Sequence, residues 1–248
     1  MRYPDLNRPD RLRLRADSAL AIPARPQDLA GFLDRLAVRG AERPLRALAL
    51  LLGINLALAA LFTGVGLVVG DEALFFRELA PGTWLSFAQL VFIAAVAAGI
   101  HRRTGARAWH QTFWGLCGAI FLVFAFDEIT QATIFLSHAL EDGAGLTAAS
   151  GFHDLQAVLL TLGFVAAALV LLPRAMVLRR HPVAVCLFAA AALLGAASQS
   201  LDSFAPATRA EFVGEETLKL VAEAFFAGGF LVALRDVLAR ARAVRPGA

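Results

Sequence analysis

One lysine occurs in 248 residues, at position 219, in the stretch GEETLKLVAEAFF over 214–226. At helical spacing Lys219 reaches Glu216 three residues before it and Glu223 four residues after it. A second stretch, FAFDEITQATIFLSH over 124–138, carries Asp127, Glu128, Gln131 and His138. Four carboxylates, Asp127, Glu128, Glu216 and Glu223, share one ammonium. Away from water they cannot all be charged, so either some hold protons or a cation binds.

Three chemistries fit these residue types. His138 and His153 with Asp127, Glu128 and Glu223 form a mixed histidine and carboxylate set of the kind that takes zinc or iron. Such a metal would activate water for hydrolysis. The pairs His-x-x-x-His and Glu-x-x-His, which put two ligands on one helix face, are absent from the sequence. A lysine facing an acid is also the arrangement of a retinal Schiff base, but Lys219 lies only a turn below the mouth of the last apolar run. Ser86, Asp127 and either histidine make a nominal triad, with no nucleophile elbow around Ser86.

The elements that must position these groups are apolar. The chain is 58% hydrophobic and 17% charged, with a mean hydropathy of +0.66, outside the range of soluble globular domains. Six runs, 46–69, 83–101, 112–137, 152–173, 182–203 and 215–237, have the roughly 20 residues a helix needs to cross a bilayer. They are continuous and rich in Ala, Leu and Val rather than alternating, which excludes a β-barrel. The expected fold is all-α, a polytopic transmembrane bundle of six spans.

Arginine sets the expected orientation. RPDRLRLR near the start, HRRTGARAWH, PRAMVLRR and RDVLARARAVR are basic, whereas the alternate connections are acidic or near neutral. Both termini are therefore expected in the cytoplasm, in a bacterial inner membrane. Residues 1–45 form an N-terminal extension without signal-peptide features. Leu29, Phe32, Leu33 and Leu36 recur there at helical spacing, as in a helix lying on the inner membrane surface. Residues 46–238 form the membrane domain and 239–248 a basic tail. A net charge of +3 without interleaved aromatics points to lipid headgroups and not to nucleic acid. Cys117 and Cys186 show neither pairing nor metal spacing and read as packing residues.

On this topology the polar side chains gather in the periplasmic half. Asp127 and Glu128 fall about 15 Å below the outer boundary by helical rise, with Glu223 near their depth. Gln131 and His138 are expected on the face of Asp127. Ser86 and Gln89 lie in the outer part of span two, His153 and Gln156 open span four, and Gln199 closes span five. Asn55 is the main polar residue elsewhere. The expectation is a polar pocket entered from the periplasm, with an apolar floor. No internal repeat or two-sided polar path suggests a channel or transporter. The favoured function is non-enzymatic: binding or sensing of a small ligand or lipid, or service as a subunit with membrane-protein partners. The alternative is a metal-dependent intramembrane hydrolase acting at the outer leaflet.

The two stretches FAFDEITQATIFLSH and EETLKLVAEAFFAGGFLVAL resemble a loose group of bacterial multi-pass proteins with an Asp-Glu pair then a His in a middle span, and Glu-Glu with a later Glu in the last. In that group the His follows within about two turns; here Thr130 and Thr133 occupy the region and His138 comes later. The resemblance covers two of six spans and implies no activity. More distantly, Ser86 and Asp127 are similar in placement to the early Ser and later Asp of alkaline ceramidase and adiponectin-receptor-like intramembrane hydrolases. The paired histidines of that superfamily are missing from the last span, which has Glu216, Lys219 and Glu223 instead.

Overall fold

A computed structural model of the chain describes residues 26–70, 80–104, 108–144, 155–204 and 209–243, at several helix ends by backbone alone. Among the described residues every element is helical. Helix α1 spans Pro26–Glu42, α2 Pro44–Val69, α3 Pro81–Arg103, α4 Ala108–Thr130, α5 Ala132–Ala144, α6 Leu155–Leu171, α7 Pro182–Phe204 and α8 Arg209–Ala243. A 3-10 stretch, Leu172–Arg180, continues α6. Six helices are long and apolar enough to cross a membrane, which supports a multi-pass membrane protein.

Local chemistry sets the boundaries. Pro44, Pro81 and Pro182 each begin a helix, where the missing amide proton costs no hydrogen bond. Gly70 ends α2 in the left-handed conformation, φ 82°, which glycine adopts without a Cβ clash. Pro173 cannot donate within the fourth span, and from Leu172 the winding tightens to 3-10.

The third span departs from expectation. In place of one helix over 112–137, the chain breaks at Gln131, which takes φ 53°. The Gln131 amide donates to the Asp127 carbonyl at 2.7 Å, and the next helix starts when Phe135 N donates to the Gln131 carbonyl at 3.0 Å. The shared face assumed for Asp127, Gln131 and His138 is therefore interrupted. The last helix is longer than the 215–237 run, continuing to Ala243, because its basic final turns extend beyond the apolar section.

Helix α8 is the axis of the bundle, packed against by α2, α3 and α7. Of its most apolar 18-residue window 67% is buried, against none for the span Val158–Arg180. Small residues permit the close approach: a Cβ on Gly228 would come within 3.2 Å of Leu48, and one on Gly229 would collide with the Phe188 ring. Around them the Phe121 and Phe188 rings each meet those of Phe226 and Phe230, and Trp114 sets its ring edge-to-face against Phe230 at 5.7 Å. Cys117 is buried in this core and Cys186 is exposed; both are free thiols.

Contacts fix which helix ends lie together. Asp34 pairs with Arg102 and Arg103, His181 with Asp236, and Arg240 donates to the Arg180 carbonyl. At the opposite end Lys219 pairs with Glu128, and Ser198 donates to the Glu215 carbonyl. The bundle thus has a basic end and a carboxylate end, the alternation that the arginine pattern implies.

Candidate functional site

Four helices build the polar cluster. From α8, Lys219 Nζ lies 2.9 Å from Glu216 Oε2 and 3.1 Å from Glu128 Oε1 of α4. The Glu216 contact follows from helical spacing alone. The Glu128 contact depends on the two spans meeting at equal depth. A turn further along α8, Glu223 is 6% exposed. The Ser86 hydroxyl of α3 donates to its Oε1 at 2.6 Å, while Oε2 is buried with no hydrogen-bond partner.

An amide pair adjoins this carboxyl. Asn55 Nδ2 donates to Gln89 Oε1 and Gln89 Nε2 to Asn55 Oδ1, both at 3.2 Å, and Asn55 Nδ2 also reaches the Leu220 carbonyl at 2.8 Å. The reciprocal amides satisfy each other in apolar surroundings and tie α2, α3 and α8 at one level. In sequence Asn55 is only an isolated polar residue in span one. Its depth matched the cluster, but depth alone does not reveal the direction in which a side chain points.

Other expected members lie elsewhere or serve a different purpose. Asp127 Oδ1 accepts from Thr133 N at 2.8 Å and Thr133 Oγ1 at 2.6 Å, so its carboxylate caps the start of α5 across the break. The run over 124–138 contains no Gly or Pro and reads as one continuous helix, which hid this role. Gln131 is the left-handed residue of the break itself. His138 is exposed on α5. Gln199 is half-buried on α7 beside Ser198. His153 and the side chain of Gln156 lie outside the described residues. A shallow apolar depression lies apart from the cluster, on α2, lined by Ala60, Leu61, Gly64, Val65, Val68 and Val69.

These placements bear on the chemistry. Ser86 is bonded to Glu223 and Asp127 to Thr133, so the nominal triad with His138 is not assembled. Among the described residues no three of His, Cys, Asp and Glu stand together so as to hold a metal ion. Of the donors expected for zinc or iron, His138, Asp127, Glu128 and Glu223 do not form such a group, and His153 lies outside the described residues. What the cluster offers is three carboxylates, one ammonium, and a buried carboxyl oxygen that lacks a donor.

A second buried polar node, which the sequence pattern did not signal, occupies the basic end. His181 is 2% exposed, its Nδ1 lies 3.0 Å from Asp236 Oδ2, and the Trp114 ring meets it edge-on at 5.9 Å. Burial pushes the imidazole below its ordinary pKa, and Arg240 and Arg180 act in the same direction, while the Asp236 carboxylate opposes them.

No family model, no curated protein and no solved structure matches this chain.

Proposed function

We propose that this integral membrane protein binds a small positively charged ligand, or the ammonium of a lipid headgroup, in the cluster of Glu128, Glu216, Lys219 and Glu223, reached from the periplasmic side. The reading is non-enzymatic. It rests on one observation: Glu223 Oε2 is buried without a donor in a cluster whose three carboxylates have one ammonium between them. A charged donor is the group that would satisfy both the oxygen and the excess of negative charge. Lys219 is 31% exposed, against 16–17% for Glu216 and Glu128, so its long side chain has room to swing out of the cluster and admit a competitor. The lysine then acts as a tethered occupant that a free ammonium replaces.

The test is a thermal-stability titration of the detergent-solubilised chain with methylammonium, ethanolamine and phosphatidylethanolamine. A ligand at a hundredfold its Kd adds about 2.7 kcal/mol of stability. Stabilisation by the free amines identifies a soluble ligand, and stabilisation by the phospholipid alone identifies a headgroup. Glu223→Gln, which keeps the shape and removes the charge, is expected to abolish either response. An equal response in Glu223→Gln, or none in the wild type, refutes the proposal.

A further inference from the structure

Helix α1 presents three different faces. Ala37 and Ala41, each 1% exposed, share one stripe with Asp34. These small side chains let α1 lie against α8, where a Cβ on Gly40 would come within 3.1 Å of Leu231. Asp34 fixes the helix lengthwise: Oδ1 accepts from Arg103 Nη1 at 2.9 Å and Arg102 Nη2 at 3.0 Å, and Oδ2 from Arg103 Nη2 at 2.8 Å. The hydrogen bonds from Arg103 hold the Asp34 carboxyl below the usual carboxylate range. A two-pronged arginine contact is orienting as well as attractive. It clamps α1 at the level where the candidate span Pro81–Arg103 ends.

The second face is bulky and uncovered. Leu29, Phe32 and Leu36, at i, i+3 and i+7, are 48%, 45% and 45% exposed. On the third face Arg35 and Arg39 are exposed, with Glu42 the exposed acid near them, and Arg43 and Arg46 carry the basic edge into α2. A row of large apolar side chains edged by arginine, held where a span leaves the hydrocarbon, is complementary to acyl chains edged by phosphates. We infer that α1 binds the surface of an anionic phospholipid leaflet. Leu29, Phe32 and Leu36 enter the upper acyl region, and Arg35 and Arg39 contact phosphodiester oxygens. This is independent of the ammonium site at the other end of the bundle.

The experiment uses the full chain in nanodiscs of phosphatidylcholine, with and without phosphatidylglycerol. A bimane label is placed at Phe32→Cys in a Cys186→Ser background, Cys117 being buried. Lipids brominated on the upper acyl carbons are expected to quench the label, more strongly with phosphatidylglycerol present, and aqueous iodide is not. Native mass spectrometry then compares binding of phosphatidylglycerol to Arg35→Gln/Arg39→Gln and to Arg179→Gln/Arg242→Gln, both exposed pairs at the basic end. At about fivefold in affinity per arginine near an anionic surface, the first pair loses on the order of 25-fold, and the second loses less. Quenching by iodide, shielding from both quenchers as in contact between copies, or equal losses in the two pairs each overturns the inference.

Discussion

Replacing Lys219 by methionine keeps an unbranched side chain one atom shorter and removes the one ammonium that Glu128 and Glu216 share. At about 3 Å and an effective dielectric constant of about 20, each contact carries about 5 kcal/mol of Coulomb attraction before desolvation is subtracted. Removing one partner of a buried pair costs about 3–5 kcal/mol, because the other charge remains without compensation. Here the three side chains are 31%, 17% and 16% exposed. The pairs are not fully enclosed by the bundle, and the lower figure of about 3 kcal/mol applies. For a chain of this size that lowers Tm by about 6–12 °C, measured by tryptophan fluorescence of the detergent-solubilised protein on heating. Adding Glu128→Gln and Glu216→Gln to Lys219→Met is expected to recover most of the loss, since the carboxylates left behind are then neutral. Methylammonium should raise the Tm of Lys219→Met by filling the vacated place. If Lys219→Met melts with the wild type, or the added glutamines lower Tm further, the lysine does not neutralise this cluster.

Two further outcomes follow from the packing and the basic end. Gly229→Ala should cost about 1–3 kcal/mol through overpacking against Phe188, and Phe188→Leu in the same chain should restore part of the melting temperature; an unchanged Gly229→Ala would show that α7 and α8 separate readily. Acidification should lower Tm through His181. An unfolded imidazole titrates near 6.5 and the folded one lower, so below that value the unfolded state binds more protons and stability falls with pH. His181→Asn should flatten the profile from about pH 7.5 downward. The stabilising contribution of Asp34, whose folded carboxyl lies below the usual range, is lost only at more acid pH.

Length and hydropathy were sufficient to count the spans, because a continuous apolar run of some 20 residues has few alternatives. Counting rise along oppositely directed helices put Glu223 near the depth of Glu128, with Lys219 a turn nearer the mouth and Ser86 in the outer part of its span; in the structure Lys219 meets Glu128 and Ser86 meets Glu223. Rotation about each helix axis was not legible. Asn55 joins the cluster and Asp127 leaves it for reasons of direction, not depth. Gln131 gave no warning, since the left-handed region favours glycine and a glutamine there is held by its neighbours' hydrogen bonds. In α1 the bulky row of Leu29, Phe32 and Leu36 drew attention to the lipid side, whereas the face that docks is made of alanines and one aspartate. His181 and Asp236 were hidden among arginines that already had an explanation in topology.

The break at Gln131 makes the third span two levers on one pivot. The longer lever, α4, packs mainly on α3, and the shorter, α5, mainly on α6. Two contacts tie the levers together beside Glu128: Thr133 of α5 donates twice to Asp127 across the pivot, and the Phe164 ring of α6 meets Phe124 of α4 at 4.9 Å. A displacement of the outer flank therefore has a short packed route to the ion pairs with Lys219, one turn of helix away.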